Sequence, residues 1–230
     1  MISKILKQEL LNLNSVSELN EVIAFARDAI AINAKASIAV GDEVFVVQKT
    51  KRTVGVVEKF NLIDGKGIKP GDILLGVESS GPHSNGYSLI RSILKRHKAP
   101  NSIMQILLKP THLYPIPVLE LIKKTNVKGM AHITGGGLTE NIPRILKKGL
   151  IANIDLYSWE FPKAFQWLQE KGKISESDML RIFNCGIGMV CILDKAEVPK
   201  AKKILLAHKL RTFEIGSIIE GDLEEQIQYN

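Results

Sequence analysis

Residues 132–144 read HITGGGLTENIPR, in which a short apolar run ends in three consecutive glycines and a helical pattern follows. Glycine lets the backbone turn sharply and approach another group without a Cβ in the way. A second segment, SSGPHSNGYSLIR at 79–91, places small and polar residues at the same kind of strand-to-helix junction. Such junctions expose main-chain N–H groups that can bind a phosphate. The same residue types also serve simple chain reversal, and the residues alone leave both interpretations open.

Strands and helices alternate on both sides of these segments. The pattern predicts strands at 72–79, 129–134, 150–156, 186–193 and 212–219, and helices at 86–96, 115–124, 138–147 and 162–171. Two further helices are predicted from their first residues, one capped by Ser175 with Asp178 at its third position and one opened by Asp194. Strands interleaved with helices imply a layered α/β or α+β domain.

The first 53 residues follow a different pattern. A capping box and apolar residues at helical spacing predict a helix at 16–34, and two β-rich runs at 40–47 and 53–58 predict a hairpin. The combination is similar to small SH3-like barrels. The sequence therefore predicts a small module at 1–53 followed by a larger domain at 54–230.

Composition limits the classes of partner and compartment. A formal net charge of +7 suits nucleic acid, an acidic lipid surface or phosphorylated small molecules, and charge alone does not choose among them. No apolar run reaches the roughly 18 residues of a membrane span, so no membrane partner is expected. The two cysteines, Cys185 and Cys191, match neither a zinc spacing nor a disulfide framework, which makes the reducing cytoplasm the expected location.

Histidines occur in both glycine-containing segments. His83 and His132 could each donate to a phosphate or carry a proton near neutral pH. The other histidines, at 97, 112 and 208, have no obvious partners in the sequence, and no metal-binding spacing is present. Trp159 and Trp167 are predicted to belong to the core, and burial is the preferred interpretation of Cys185 over a nucleophile.

Three runs carry a family resemblance: GDILLGVESSGPHSNGYSLIRSIL, HITGGGLTENIPRIL and WEFPKAFQWLQEKGKISESDMLRIFNCGIGMVCIL. Together they closely resemble the C-terminal half of the phosphoribosylformylglycinamidine cyclo-ligase (AIR synthetase) family, from about residue 54 to the last residue. The resemblance implies a three-layer α/β/α domain. It also implies purine biosynthesis, in which ATP drives the closure of formylglycinamidine ribonucleotide to aminoimidazole ribonucleotide in the presence of Mg²⁺.

Site residues follow from the resemblance position by position. His83 and His132 are the candidates for polar or acid-base roles. The other residues implied to line the ligand cleft come from the two glycine-containing segments: Ser80, Gly81, Ser84, Asn85, Thr134, Gly135, Gly136, Gly137, Glu140 and Asn141. No metal ligand is assigned.

The family's N-terminal half carries glycine-rich and acidic nucleotide-binding segments that this sequence lacks. The expectation is therefore a truncated or split enzyme that works with a separate N-terminal chain and can form a homodimer. A non-catalytic phosphoribonucleotide-binding domain is one alternative. Another is a fusion whose basic hairpin, with Lys49, Lys51 and Arg52, binds nucleic acid, although the scarcity of aromatic residues there makes nucleic acid an unlikely partner.

Overall fold

A computed structural model describes residues 62–222, 224 and 226–230, together with the backbone of two strands, β1 (Val44–Lys49) and β2 (Thr53–Glu58). The two strands pair antiparallel, with Val44 opposite Glu58 and Lys49 opposite Thr53, which confirms the hairpin. The predicted helix at 16–34 and the rest of the SH3-like module lie outside the described residues. Main-chain contacts divide the chain into Met1–Leu62 and Ile63–Asn230, and the functional division after residue 53 stays a prediction.

The second unit alternates strands and helices as the sequence predicts. Its strands are β3 (Ile73–Glu78), β4 (Val127–His132), β5 (Leu150–Ile154), β6 (Ile187–Leu193), β7 (Thr212–Glu220) and β8 (Ile227–Tyr229). Its helices are α1 (Tyr87–Arg96), α2 (Asn101–Leu107), α3 (Pro115–Lys124), α4 (Gly137–Asn141), α5 (Lys163–Gly172), α6 (Glu176–Ile182) and α7 (Val198–Ala207). Short 3₁₀ segments lie at Pro143–Ile145 and Lys195–Glu197.

One six-stranded sheet forms the middle layer, in the order β4-β6-β3-β7-β5-β8. Neighbouring strands are antiparallel except for the parallel pair β5 and β8. Alternate residues of β3 face opposite cores, because Leu74 belongs to one buried cluster and Leu75 and Val77 to the other. Helices α1, α2, α4, α5 and α6 contribute to the first cluster, and α3 and α7 to the second. Helices thus cover both faces of the sheet, which confirms the three-layer α/β/α architecture.

Polar caps begin two of the helical segments, as predicted. The Ser175 hydroxyl accepts a hydrogen bond from the Asp178 N–H at 3.1 Å and so caps α6. The Asp194 carboxylate accepts one from the Ala196 N–H at 3.1 Å, and it opens a 3₁₀ turn that leads into α7. Because these side chains satisfy N–H groups that a helix leaves unpaired, the local sequence is sufficient to locate both starts.

The structure differs from the predicted elements in three places. The predicted helix at 138–147 is only the five-residue α4 followed by a 3₁₀ turn that begins at Pro143. Helix α2 and strand β8 were not predicted; they are seven and three residues long, too short for a periodic pattern to stand out. Among the described residues, no helix is both long and apolar enough to cross a bilayer.

A buried ion pair connects the first strand of the domain to β4. The Lys128 ammonium lies 2.5 Å from the Asp72 carboxylate, and the two side chains are 9% and 1% exposed. The second oxygen of Asp72 accepts a hydrogen bond from the Lys69 N–H at 2.9 Å, and Asp194 lies 3.7 Å from the Lys128 ammonium. A pair this enclosed needs both members, because either charge alone would be buried without compensation.

Candidate functional site

The strand directions bring both glycine-containing segments to one edge of the sheet. Strands β3 and β4 each pair antiparallel with β6, so they run in the same direction and end at the same edge. We call residues 79–86, which follow β3, the first corner, and residues 133–136, which follow β4, the second corner. Both corners join a strand to a helix, as the sequence predicts.

The first corner is held by a buried asparagine that sequence reasoning missed. Asn184, fully buried, accepts hydrogen bonds from the Ser79 hydroxyl and the Gly186 N–H, both at 3.0 Å, and donates to the Gly81 carbonyl at 2.9 Å. Asn184 precedes β6, about a hundred residues away along the chain. Its only sequence signal is its place in the NCGIG run, directly before Cys185.

Backbone geometry in the first corner places His83 in an unusual environment. His83 and Ser84 both have positive φ, of 52° and 65°, which non-glycine residues seldom adopt. The His83 Nε2 accepts a hydrogen bond from the Ser80 N–H at 3.0 Å, and the Ser80 hydroxyl donates to the Pro110 carbonyl at 2.5 Å. Gly81 is buried, and a Cβ at that position would lie 2.5 Å from the Ile106 carbonyl oxygen. Close packing therefore requires this glycine.

The three consecutive glycines of the second corner and α4 have three different environments. Gly137 has a φ of 57°, and a Cβ there would lie 2.0 Å from the Leu180 carbonyl oxygen, so packing excludes any larger residue. Gly136 has a φ of 98° and packs beside Glu140. Gly135 alone is exposed, without a positive φ, and its missing side chain leaves room for close approach. Chain reversal and packing thus explain two of the glycines, and only Gly135 fits a purely functional explanation.

Asn141 stabilises the second corner from within α4. Its buried side-chain amide donates to the Gly137 carbonyl at 2.7 Å and the Gly135 carbonyl at 3.2 Å, and its oxygen accepts from the Thr134 hydroxyl at 3.2 Å. Within the described residues, the N–H groups of Gly135 and Gly136 have no hydrogen-bond acceptor. Two adjacent free amides are therefore available to a ligand. Because α4 has only five residues, its dipole adds little to them.

The two corners meet. The Asn85 side-chain oxygen lies 3.8 Å from the point where a Cβ of Gly135 would be. The ring of Tyr114 stands between the histidines of the two segments, with centroid distances of 5.9 Å to His83 and 6.1 Å to His132. Among the predicted site residues, the structure thus brings His83, Asn85, His132 and Gly135 together at one edge of the sheet. We call this meeting place of the two corners the candidate cleft. Glu140 is exposed and lies 3.7 Å from Arg144.

Burial determines the protonation of the histidines. Burial, together with the neighbouring His112 and His132, lowers the pKa of His83 to about 4. Partial enclosure of the His132 ring lowers its pKa as well, even though the residue as a whole is exposed. His83 is 6% exposed, and its Nδ1 has no hydrogen-bond partner within the described residues. Near pH 7 it is therefore neutral, which suits a hydrogen-bonding role better than the predicted proton transfer.

Two of the histidines for which the sequence showed no companions make side-chain contacts in the structure. His112 packs edge-on against His83 and Tyr114, with centroids 6.1 Å and 6.0 Å away. The His208 Nε2 lies 2.6 Å from the Glu120 carboxylate, which joins α7 to α3. Both contacts connect segments far apart in the sequence, so spacing along the chain could not show them.

The remaining predictions concern residues of the core. Trp159 is 5% exposed and donates its ring N–H to the Cys185 carbonyl at 2.9 Å, and Trp167 packs against the same cluster, so both belong to the core. Cys185 is fully buried, as predicted, and burial raises the pKa of its thiol. Burial also raises the pKa of Cys191 to about 12, so neither thiol has the lowered pKa of an activated nucleophile. Among the described residues, no group of histidines, cysteines and carboxylates could hold a metal ion.

Comparison with known proteins agrees with this architecture. Residues 69–227 match the family described as AIR synthase related protein, C-terminal domain. A phosphoribosylformylglycinamidine cyclo-ligase of Paraburkholderia phymatum is 47% identical over 172 residues, which cover 72% of this chain and 48% of that protein. The enzyme of the same name from Neisseria gonorrhoeae is 46% identical over 175 residues, or 73% and 51% of the two chains. The chain thus spans about half the length of these curated relatives.

Solved structures share the fold at low sequence identity. E. coli HypE superposes with a TM-score of 0.57 at 17% identity, covering 76% of this chain and 51% of that one. Thiamine-monophosphate kinase from Stenotrophomonas maltophilia gives 0.56 at 14% identity, covering 77% and 55%. At these identities the likeness concerns the fold alone.

Proposed function

Because the chain belongs to the family of AIR synthase related proteins, of which it carries the C-terminal domain, we propose that it takes part in purine biosynthesis as half of an ATP-dependent cyclo-ligase. The reaction closes formylglycinamidine ribonucleotide to aminoimidazole ribonucleotide, and the proposed active form includes a separate N-terminal half. The observation that supports this most directly is the meeting of the two corners at one cleft, where Asn85 and Gly135 are neighbours.

The cleft has the chemistry that a phosphorylated ligand requires. The Gly135 and Gly136 amides are free donors within the described residues, and the absence of a side chain at Gly135 allows a phosphate to approach them. His83 is neutral, and with Nε2 already accepting a hydrogen bond its Nδ1 carries the proton. The domain's task in this proposal is to bind and orient the phosphates, so that the reacting groups are held close together.

ATP and Mg²⁺ fit the described residues to different degrees. The exposed amides suit a phosphate chain, so ATP phosphates could be held at the second corner. Mg²⁺ prefers carboxylate oxygens, and the described residues offer no cluster that could hold it, so we assign it no ligand in this part of the chain. When bound, the metal would neutralise phosphate charge, and other residues would have to supply its ligands.

The proposal is tested by turnover. The full chain is mixed with ATP, Mg²⁺ and formylglycinamidine ribonucleotide, with and without an N-terminal half from a relative, and ADP release is measured. We expect release only when both halves are present. A complete lack of turnover in both mixtures would refute the enzymatic proposal.

A matched pair of variants tests whether the ligand binds in the cleft. A Gly135→Ala methyl group enters the cleft beside Asn85 without a backbone penalty, so we expect ligand affinity to fall about tenfold, with stability changed by less than about 1 kcal/mol. Gly67→Ala is the control, because its Cβ would make only ordinary contacts with Lys128 at 3.8 Å. Equal affinity in the two variants would show that the ligand binds elsewhere.

One observation favours a second candidate, a domain that binds a phosphoribonucleotide without chemistry. The pKa of His83 is about 4, so this buried histidine is unsuited to carry protons near neutral pH. Calorimetry with substrate and product would then give binding heat while the turnover assay stays negative. The nucleic-acid alternative rests on side chains at 49–52, which lie outside the described residues.

A further inference from the structure

The ring of Tyr114 packs against three histidines where the two corners meet. Its ring centroid lies 5.9 Å from that of His83, 6.0 Å from that of His112 and 6.1 Å from that of His132, each in an edge-on arrangement. The histidines come from the first corner, from the segment before α3 and from the end of β4. Three parts of the chain that are distant in sequence therefore meet on one aromatic ring.

Burial, a hydrogen bond and close packing fix the position of Tyr114. It is 4% exposed, and its hydroxyl donates to the Glu78 carbonyl at 2.6 Å, at the last residue of β3. A Cβ at Gly188 would lie 2.1 Å from the Tyr114 hydroxyl and 2.7 Å from the His83 Cε1. Both rings therefore pack directly on the backbone of β6 at this glycine. A ring held this tightly can hold its neighbours in turn.

His112, unlike His83, has no ring nitrogen engaged in a hydrogen bond to a described residue. It is half-buried and forms no hydrogen bond within the part of the chain that the structure describes, although it packs against His83 and Tyr114. The carboxylate of Glu78, the residue whose carbonyl binds the Tyr114 hydroxyl, is already bound by the Arg211 side chain at 2.8 Å. Opposite His132, strand β6 presents Met189, which does not titrate. Among the residues that the structure describes, the three imidazoles thus have no anionic partner, and they are available to an anionic ligand.

We propose that Tyr114 is a positioning residue that holds His83, His112 and His132 as one anion-binding group, and that His112 contacts the phosphate of the ligand directly. The phosphate part of this inference rests on the proposed function; the positioning part does not. His83 remains neutral and donates from Nδ1, because its Nε2 accepts the Ser80 N–H. His112, which is half-buried, and His132, which is exposed, are more accessible to an anion than His83.

Binding of inorganic phosphate and ribose 5-phosphate to the full chain tests the ligand part. We expect His112→Gln to weaken the binding of both about tenfold, because the imidazole that contacts the phosphate is lost. His97→Gln is the control, since His97 directly follows α1 and its main-chain N–H donates to the Ile93 carbonyl. Unchanged affinity in His112→Gln, or no phosphate binding by the unaltered chain, overturns the ligand role of His112.

Histidine NMR titration tests the positioning part without any ligand. Tyr114→Leu removes the ring, and we expect the titration midpoint of His83 to rise and the resonances of all three histidines to shift. Tyr114→Phe keeps the ring and is expected to leave the midpoints close to those of the unaltered chain, with a modest loss of stability from the missing hydrogen bond. Histidine midpoints that stay the same in a folded Tyr114→Leu refute the positioning role. If Tyr114→Leu fails to fold, Gly188→Ala, which crowds both rings, must shift the same midpoints or the inference fails.

Discussion

Asn184 gives the sharpest test of how the cleft is built. Asn184→Ala removes three hydrogen bonds: two accepted, from Ser79 and Gly186, and one donated to Gly81. The Gly186 N–H and the Gly81 carbonyl are buried, and each costs about 1–3 kcal/mol when left without a partner. The Ser79 hydroxyl is half-buried and can turn to water, so it adds only about 0.5 kcal/mol. The expected loss is therefore about 2.5–6.5 kcal/mol of unfolding free energy, and the small cavity left by the deleted side chain adds to it.

Urea unfolding followed by tryptophan fluorescence measures this loss. Both tryptophans of the chain, Trp159 and Trp167, lie in the unit Ile63–Asn230, so the signal reports on this domain and not on the first unit. Ser79→Ala is the matched variant, because it removes one of the three hydrogen bonds and leaves Asn184 in place; we expect it to cost about 0.5–1 kcal/mol. The denaturant dependence should be the same in all variants if the transition stays two-state.

Two results would contradict this reasoning. A cost below about 1 kcal/mol for Asn184→Ala would mean that water or another side chain replaces its hydrogen bonds. Equal costs for Asn184→Ala and Ser79→Ala would mean that the main-chain partners contribute nothing. The double variant separates the cases, because the effects of two residues in direct contact should not add.

Three further measurements test other parts of the structure. The pKa of His83 is lowered to about 4, so the neutral ring's contribution to stability is fully present above the ordinary pKa of about 6.5 and is lost as the pH falls to 4. The unfolding free energy should therefore drop by up to roughly 3 kcal/mol across that range. The drop should be much smaller in His83→Gln. Gly137→Ala should lower the unfolding free energy by more than about 3 kcal/mol or prevent folding. Gly149 also has a positive φ but open space around it, so Gly149→Ala should lower it by only about 1–2 kcal/mol. Thermal unfolding of both variants separates the effect of crowding from that of backbone strain. Asp72→Asn should lower the unfolding free energy by about 3 kcal/mol, because Lys128 loses its closest partner. Adding Lys128→Met to that variant should restore most of the lost stability. A double variant as unstable as Asp72→Asn alone would show that the buried charge is not the cause.

Local features explain why most of the fold could be predicted. Helix α3 occupies the predicted residues 115–124 because Pro115 and Pro117 occupy its first turn and apolar positions recur behind them. Ser175 and Asp194 mark the starts of their helical segments by hydrogen bonds that span two or three residues. Helix 138–147 was predicted too long because Asn141 turns its side chain back to the carbonyls of the second corner, and the chain then tightens into a 3₁₀ turn at Pro143.

The cleft could be predicted only in part, and the reason is sequence separation. The two corners were visible because each is a continuous run of glycines and polar residues, and His83, Asn85 and Gly135 were found there. Asn184 and Tyr114, which determine the shape of the cleft, act on residues about 30 to 100 positions away, so no local pattern marks them. The glycines show the same limit, because Gly135, Gly136 and Gly137 are identical as sequence. Only the carbonyls of Leu180 and Phe183 packed against Gly137, and the open space beside Gly135, distinguish the glycine that packing requires from the one that leaves room for a ligand.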